Sequence, residues 1–302
     1  MNILLIGGTG FVGSHLAARL AADGHEVLVP TRRYAHARHL QVLPTVDIVE
    51  ADVHDEAALL RLLAGKDAVI NLVGVLKGGS GTPYGPGFAR AHVELPKLIA
   101  RASQRAGVLR SLHMSALMAD LRAPSGYLRS KAAGEAAALA VAPPGAVTVF
   151  RPSVIFGRGD AFLTLFAQLL RRLPLLPLAS PQALFQPVWV GDVAAAFATS
   201  LTRRESYGRA YDLCGPRRYT LRELAAYAGR IAGHPRPIIG LPTTLSYLQA
   251  WAMEFVPGAP LTRDNLYSMQ VPNVCADGCT LPFGLPATPL EAVAPGYLAA
   301  PA

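Results

Sequence analysis

The sequence predicts an α/β protein built on a doubly wound parallel sheet with helices on both of its faces. Short apolar runs alternate with segments of helical periodicity through the first half of the chain. Glycines cluster directly after the first apolar run, where a strand gives way to a helix. Hydrophobic residues make up 51% of the 302-residue chain, which is ample for a core. Strands separated by helices pair in parallel, and right-handed crossovers then give a doubly wound sheet.

Six strands and four helices are predicted up to residue 150. The strands are Ile3–Ile6, Glu26–Pro30, Val46–Glu50, Asp67–Val73, Leu109–Ser115 and Val147–Phe150. The helices are Phe11–Ala22, His54–Ala64, Ala89–Ala106 and Tyr127–Val141. Prolines cluster after Arg151, and strand signals recur only at Pro187–Val190 and Tyr211–Cys214. We therefore predict one domain at residues 1–160, to which the chain returns at about 185–215, and a smaller, mostly helical lobe at 161–302.

Charge and cysteine usage exclude several classes of protein. The net charge is +8, but the basic residues are dispersed and are not interleaved with aromatic residues, so we expect no nucleic-acid partner. Three cysteines are an odd number and do not suggest a disulfide framework, which favours a reducing, cytoplasmic location. Cys275 and Cys279 have no histidine near them in the sequence, so we expect no metal site.

Neither a signal peptide nor a membrane span is expected, because no apolar stretch has the required length or flanks. Two apolar segments, which start at Leu163 and Pro237, are interrupted by charges or bracketed by prolines. They fit core or cap helices, but they also fit a surface that faces a membrane or a partner such as a respiratory complex. A peripheral position at the inner membrane therefore stays open.

The glycine-rich stretch GGTGFVG predicts a nucleotide site. Gly7 permits a tight turn, Gly10 lets a pyrophosphate approach the backbone, and Gly13 lets the following helix pack closely. The free N–H groups of the helix's first turn then face the phosphates. The predicted contacts from this loop are Gly7, Thr9, Gly10, Phe11, Val12 and Gly13.

The residues after the second strand indicate which dinucleotide is bound. An NAD site usually places a carboxylate there, whereas this chain has Thr31, Arg32 and Arg33. A guanidinium suits a 2′-phosphate, so we predict NADP(H), with NAD(H) as the second choice. Asp52 and Val53 are placed to hold the adenine, although Asp52 also fits a helix cap.

The fourth strand ends at a point that faces the ligand crevice of a doubly wound sheet. Leu72, Val73 and Gly74 are therefore expected beside the nicotinamide ribose.

Tyr127 and Lys131 are four residues apart and share one face of a predicted helix. A nearby ammonium favours the phenolate, so we expect Lys131 to lower the pKa of Tyr127. Such a pair moves a proton to or from a substrate oxygen while hydride is exchanged with the cofactor. Lysine also suits a hydrogen bond to the nicotinamide ribose.

Five segments together resemble the extended and atypical short-chain dehydrogenase/reductases of the NAD-dependent epimerase/dehydratase superfamily. They are GGTGFVG, DAVINLVGV, YLRSKAAGE, RPSVIFGRGD and PVWVGDVAAAF. More narrowly, TRR, YDLCGPRRYTLRELA and PLTRDN resemble bacterial relatives of the dehydrogenase-like accessory subunit of respiratory complex I. The resemblance covers about residues 1–270. It implies a Rossmann fold with a small C-terminal lobe, and it places Pro152 and Ile155 near the nicotinamide.

The chain departs from the resembled family at the end of the fifth strand. Catalytic members carry a serine there that bonds the substrate oxygen, but here Ser115 matches the first serine position and Ala116 or Leu117 the catalytic one. The resemblance therefore implies an NADP(H) binder with little turnover. Two alternatives stay open. One is an active reductase or epimerase/dehydratase that uses Tyr127 and Lys131 on a nucleotide-linked or isoprenoid-type small molecule, and the other is a scaffold with a vestigial site.

Overall fold

The structure, a computed structural model, describes residues 1–141, 147–256 and 261–299. Its strands are β1 (Asn2–Ile6), β2 (Glu26–Thr31), β3 (Val46–Glu50), β4 (Ala68–Asn71), β5 (Arg110–Met114), β6 (Val147–Pro152), β7 (Ile155–Phe156), β8 (Leu176–Leu178), β9 (Leu184–Phe185), β10 (Val188–Trp189), β11 (Ala210–Leu213), β12 (Tyr219–Thr220) and β13 (Ile238–Gly240). Its α-helices are α1 (Phe11–Ala22), α2 (Glu56–Leu63), α3 (Pro86–Phe88), α4 (Leu95–Ala106), α5 (Gly126–Val141), α6 (Phe162–Arg172), α7 (Val190–Ser200), α8 (Leu221–Ile231), α9 (Thr243–Glu254), α10 (Arg263–Ser268), α11 (Leu290–Val293) and α12 (Pro295–Leu298).

Seven of these strands form one parallel sheet in the order β11-β6-β5-β4-β1-β2-β3. The predicted doubly wound sheet is therefore confirmed. Strand β11 pairs in parallel with β6, which brings the chain back to the sheet after the lobe has begun. The strand predicted at Pro187–Val190 is shorter than expected. Only Val188 and Trp189 are extended, because α7 starts at Val190, and they pair with β7 outside the main sheet.

Alternate residues of the central strands face opposite sides of the sheet, as the strand geometry requires. Ile3 and Leu5 of β1 pack with Leu16 of α1 and Phe197 of α7 in one core layer. The other layer packs the next residues of β1 against α2 and α4, and its members include Leu4, Ile6, Leu59 and Leu95. Both faces are buried, which explains why these strands are continuous apolar runs.

The helix predicted at Ala89–Ala106 has two parts. Its first turn, Ala89–Glu94, is a π-helix, and α4 follows from Leu95. Such wide turns are frequent at functional sites.

The lobe has its own core, in which α6 and α8 pack through Leu163, Phe166 and Leu224. The two apolar segments that start at Leu163 and Pro237 differ in how much of their surface is buried. Helix α6 is buried along one face, whereas α9 buries only Ser246 and Ala250. None of the helices in the described residues is both long and apolar enough to cross a membrane. The division of the chain at residue 160 stays a prediction.

The cysteines correct one expectation. Cys214 and Cys275 form a disulfide, with Cα atoms 6.1 Å apart, although no disulfide was expected. They lie 61 residues apart in the sequence and meet because β11 ends beside the segment that follows α10. Cys279 is the odd cysteine and is exposed. An odd count therefore excludes only complete pairing and not a single bridge.

Candidate functional site

The glycine loop between β1 and α1 has the geometry of an anion cradle. Gly7 has φ +86°, and a Cβ on Gly13 would lie 2.2 Å from the Gly7 carbonyl oxygen, so a side chain at Gly13 cannot fit. Gly10 is exposed and starts α1 without a side-chain cap. Among the residues that the structure describes, no side chain of the N-cap residue satisfies the N–H groups of the first turn, which is the arrangement that favours a phosphate. Thr9 and Phe11 are half-buried beside them, and Val12 is buried beneath.

The strand order places this loop at the crevice of the sheet. The order reverses between β1 and β4, and ligands of doubly wound sheets lie outside such a point. A Cβ on Gly7 would lie 3.2 Å from the backbone nitrogen of Val73, so the two loops are in contact. Leu72 is buried, Val73 half-buried and Gly74 exposed. The structure therefore brings the predicted phosphate and ribose segments together.

The end of β2 presents a buried Thr31 followed by two exposed arginines, Arg32 and Arg33. Neither arginine forms a salt bridge among the residues that the structure describes. Both residues are thus exposed where β2 ends, at the carboxyl edge of the sheet.

Asp52 follows β3 and does not cap a helix. Its carboxylate accepts a hydrogen bond from the N–H of His54 over 2.9 Å, and the cap of α2 is Asp55, which accepts from Ala57. The exposed Asp52 thus keeps carboxylate oxygen free for a ligand. Val53 is half-buried against the core.

Tyr127 and Lys131 lie on one face of α5, as predicted. Lys131 is buried and its ammonium donates to the carbonyl oxygen of Met114 over 2.7 Å. A Cβ on Gly74 would lie 3.8 Å from Lys131 Nζ, so the ammonium faces the loop expected beside the nicotinamide ribose.

The expected effect of Lys131 on the tyrosine is wrong. Burial raises the pKa of Tyr127 to about 12, because a phenolate is costly away from water. Burial also lowers the pKa of Lys131 to about 8, against the opposite influence of Glu135. Desolvation therefore sets the state of the tyrosine, and Tyr127 is held as a neutral phenol.

At the end of β5, the ring of Tyr127 lies beside apolar residues. Ala116 packs with Ala123 and Leu128 in a small buried cluster, and Tyr127 packs against this cluster. Ser115 is buried, its N–H donates to the Phe150 carbonyl oxygen, and its hydroxyl has no hydrogen-bond partner. The cluster next to Tyr127 that contains Ala116 is therefore apolar.

Pro152 and Ile155 lie at and just after the carboxyl end of β6. The carbonyl oxygen of Pro152, at the end of β6, accepts from the N–H of Leu117 over 3.0 Å. Ile155 is half-buried in β7, which pairs with β10. The structure therefore holds Pro152 against the loop that carries Ala116, while Ile155 lies one short strand away.

Two side chains that the motifs did not single out contact the α5 site. The carboxylate of Asp264, in α10, accepts from the N–H groups of Gly126 and Tyr127 over 2.7 and 3.1 Å. His92, in the π-helical turn, contacts the ring of Tyr127 edge to face with centroids 5.6 Å apart. Nothing in local periodicity marks either residue, since both act across large sequence separations.

A third feature is a cavity that the sequence analysis did not predict. A cavity of about 660 Å³ lies where the segment after β7 meets the last helix, and its lining includes Arg158, Asp160 and Tyr297. His15 of α1 hydrogen-bonds to the Arg158 carbonyl oxygen over 3.0 Å, so the cavity adjoins the helix that starts at the glycine loop.

Comparison with known proteins agrees with this geometry. The model of the NAD dependent epimerase/dehydratase family matches residues 3–214. The chain is 31% identical over 301 residues, 95% of its length, to mouse NADH dehydrogenase (ubiquinone) 1 alpha subcomplex subunit 9, of which it covers 77%. It covers 59% of the rat protein and 55% of the Arabidopsis thaliana protein of that name, so it spans little more than half of those relatives.

A bacterial relative matches over nearly its full length. The chain is 32% identical to the ceramide reductase of Caulobacter vibrioides over 94% of this chain and 90% of that protein. Among solved structures, DesIV from Streptomyces venezuelae, a dTDP-glucose 4,6-dehydratase with NAD bound, superposes with a TM-score of 0.70 at 23% identity, over 80% of this chain and 85% of that chain. The matched family model, which spans the glycine loop, the Tyr127 helix and the sheet up to β11, shows that the chain belongs to the NAD dependent epimerase/dehydratase family.

Proposed function

We propose that this protein binds NADP(H) and turns it over slowly, so that the bound cofactor serves a structural or sensing role. The observation that carries this proposal is that Tyr127 packs against the buried apolar cluster of Ala116, Ala123 and Leu128, in which the residue after Ser115 carries no hydroxyl group. The complex I subunits among the relatives support it, because they are subunits of an assembly by name.

The chain offers a consistent set of groups for the cofactor. The first-turn N–H groups of α1 would hold the pyrophosphate, Asp52 and Val53 the adenine, and Lys131 with the loop around Gly74 the nicotinamide ribose. The steric limit at Gly13 and the uncapped start of α1 support this assignment, since both leave room for a phosphate at the backbone.

A 2′-phosphate explains the exposed guanidinium groups after β2. Arg32 stands where NAD sites place a carboxylate, and it has no salt bridge among the described residues. Hydrogen bonds between guanidinium and phosphate are charge-assisted and often bidentate. We therefore propose NADP(H) over NAD(H), although the solved structure named above has NAD bound.

Slow turnover follows from the state of the tyrosine. A general acid or base works best with a pKa near the working pH, and burial raises the pKa of Tyr127 to about 12. A hydroxyl group at position 116 would hold the substrate oxygen beside the phenol, but alanine has none. Without such a donor, Tyr127 is the only acid beside the substrate oxygen. The transition state then lacks the stabilisation that a preorganised hydrogen bond provides.

A second candidate function is an active reductase or epimerase/dehydratase. It is favoured by the intact Tyr127 and Lys131 pair and by the relative named ceramide reductase, which matches over 90% of its length. When bound, the reduced cofactor supplies a hydride to a carbonyl carbon. The phenol of Tyr127 would donate its proton to the carbonyl oxygen, and Lys131 would stabilise the phenolate that remains. The substrate would be an isoprenoid-type or other lipid-like carbonyl compound, or a nucleotide-linked one.

We also propose that the exposed face of α9 contacts an anionic membrane surface. Leu248 and Trp251 of this helix, and Phe255 directly after it, are 57%, 47% and 71% exposed, beside Leu245 and Val256. A tryptophan and a phenylalanine on one face of a short helix are typical of residues that insert at the interface of a bilayer. The net charge of +8 favours anionic lipid over a neutral surface. This proposal places the protein at the periphery of the inner membrane.

The experiment that tests the main proposal identifies what the purified protein retains. Mass spectrometry of the supernatant after acid precipitation is expected to show NADP(H) at a fixed ratio to protein. Addition of carbonyl substrates of both classes is expected to leave the cofactor unconverted over many minutes. Rapid oxidation of NADPH by one of them, lost in Tyr127→Phe with cofactor affinity intact, would establish the second candidate. Absence of binding to either dinucleotide would leave only a scaffold with a vestigial site.

A further inference from the structure

His92 makes two hydrogen bonds that join separate parts of the candidate site. Its Nε2 accepts from the backbone N–H of Val75 over 2.9 Å, in the loop after β4. Since Nε2 is an acceptor, the ring proton is on Nδ1, which donates to Ser130 Oγ over 2.8 Å. The Ser130 hydroxyl in turn donates to the carbonyl oxygen of Tyr127 over 2.7 Å. One neutral imidazole therefore connects the ribose loop to the helix that carries Tyr127 and Lys131.

The packing around His92 holds the ring in place. The imidazole is 1% exposed and stacks on the ring of Phe88 with centroids 5.5 Å apart. A Cβ on Gly134 would lie 1.7 Å from the His92 carbonyl oxygen, so α5 approaches the π-helical turn as closely as a glycine allows. The wide turn and the glycine thus serve the same end, which is to bring the imidazole between Val75 and Ser130.

The charged and titratable groups near His92 favour the neutral ring. Lys131 and Tyr127 face it from α5, and His113 approaches it from β5. Burial, with the Lys131 ammonium as a smaller cause, lowers the pKa of His92 to about 3. A neutral ring is required, because a protonated Nε2 cannot accept from Val75.

We infer that His92 is a positioning residue, which fixes the Gly74–Val75 backbone against Lys131 and so sets the nicotinamide-ribose end of the cofactor site. The inference rests on the proposed binding of a dinucleotide. A Cβ on Gly74 would lie 3.8 Å from both His92 Nε2 and Lys131 Nζ, so the backbone of Gly74 lies beside both groups. Without the hydrogen bond to His92, the Gly74–Val75 loop would shift and change its contact with the ribose. The glycine loop and Arg32, which bind the other half of the cofactor, would keep their positions.

The two hydrogen bonds can be removed one at a time. In His92→Asn the side-chain nitrogen stands near the place of Nδ1, so the bond to Ser130 is kept and the bond to Val75 is lost. In His92→Gln the longer side chain puts its oxygen near the place of Nε2, so the bond to Val75 is kept. Neither variant contains an imidazole, so a comparison of the two tests the hydrogen bond to Val75 itself.

The test compares NADPH with adenosine 2′,5′-bisphosphate, a fragment that lacks the nicotinamide half. Titrations of the full chain are followed by fluorescence or calorimetry. We expect His92→Asn to weaken NADPH binding about three- to tenfold, the range for one lost hydrogen bond. The fragment should change less than about twofold, and His92→Gln should recover most of the NADPH affinity.

The ratio of the two affinities does not depend on how much of a variant is folded, so partial unfolding cannot imitate the result. Equal weakening of NADPH and fragment, or a His92→Gln variant as weak as His92→Asn, would overturn the positioning role while leaving the proposed function intact. A wild-type protein that binds neither ligand would instead overturn the proposed function, and this inference with it.

Discussion

The carboxylate of Asp264 accepts a hydrogen bond from the backbone N–H of Tyr127 over 3.1 Å, across 137 residues of sequence. The same carboxylate accepts from Gly126, so one side chain of the lobe satisfies two first-turn donors of the helix that carries the tyrosine. Its negative charge also lies at the positive end of the helix dipole. The lobe thereby fixes where α5 begins, and with it the height of the phenol above the sheet.

Replacement of Asp264 should therefore cost stability. We expect Asp264→Ala to lower the free energy of unfolding by about 1–2 kcal/mol, the range for the loss of a helix cap, and Asp264→Asn to lower it by less. Urea unfolding followed by circular dichroism measures both. Asp47→Ala, at an exposed position on β3, is the matched control and should change stability by less than about 0.5 kcal/mol. Equal effects at the two positions would show that Asp264 does not act as a cap.

Arg32 should determine the choice between the two dinucleotides. The wild-type protein is expected to bind NADPH more tightly than NADH, and Arg32→Ala should remove most of that difference. The expected loss of NADPH affinity is about 10- to 100-fold, since a hydrogen bond to a charged group contributes about 1.5–3 kcal/mol. Fluorescence titration of both cofactors measures it. Arg61→Ala, at an exposed arginine on α2, should leave both affinities unchanged. Equal binding of the two cofactors to the wild type would contradict the 2′-phosphate assignment.

A hydroxyl group added at position 116 should increase turnover. Ala116→Ser places a donor on the surface that packs against Tyr127, and a single preorganised donor is worth about 100-fold or more in other active sites. We expect a smaller gain, about tenfold, because the rest of the site has not been optimised around it. The rate of NADPH oxidation with a panel of ketones is the measurement. The double variant with Tyr127→Phe should lose the gain. An increase that survives without the phenol would mean that the new serine acts independently of Tyr127.

Acid should destabilise the fold through its buried histidines. Burial lowers the pKa values of His92 and His113 to about 3, while an unfolded histidine titrates near 6.5. The unfolded state therefore binds more protons between these values, and stability is full above about pH 6.5 and falls as the pH decreases. At pH 5.5 the loss is about 1.4 kcal/mol for each histidine.

Urea unfolding at several pH values between about 7.5 and 5.5 measures this loss. His92→Asn should have a shallower pH dependence than the wild type, whatever its absolute stability. His36→Asn, at an exposed histidine, should keep the wild-type slope. Parallel slopes for His92→Asn and wild type would show that His92 titrates alike in the folded and unfolded states.

The exposed face of α9 should bind anionic vesicles. We expect the protein to sediment with vesicles that contain phosphatidylglycerol and to stay in solution with phosphatidylcholine alone, with binding weakened by salt. The double variant Trp251→Ser and Phe255→Ser should lose most of the binding. Leu109→Ser, at a residue that is 69% exposed before β5, is the matched control and should bind as the wild type does. Retention of binding by the double variant would point to another surface, and equal binding to neutral vesicles would exclude the charge preference.

The sequence alone determined the sheet and the order of its elements. Continuous apolar runs and helical periodicity are local patterns, so they predicted all of the first six strands to within two residues and α1 without error. The glycine loop and the pair of Tyr127 and Lys131 could also be predicted from local sequence. Each depends only on the residue types and their spacing within one turn or along one helix face. The sequence also shows that Ala116 and Leu117, and no second serine, follow Ser115 after β5.

Only the tertiary structure decided how these groups behave. The raised pKa of Tyr127 comes from burial, which depends on everything packed around the phenol and not on the lysine four residues away. The bridge between Cys214 and Cys275, the cap by Asp264 and the bonds of His92 each join segments that no periodicity relates. Such contacts depend on where the folded chain brings its distant segments, and a pattern that repeats over a few residues carries no information about that placement.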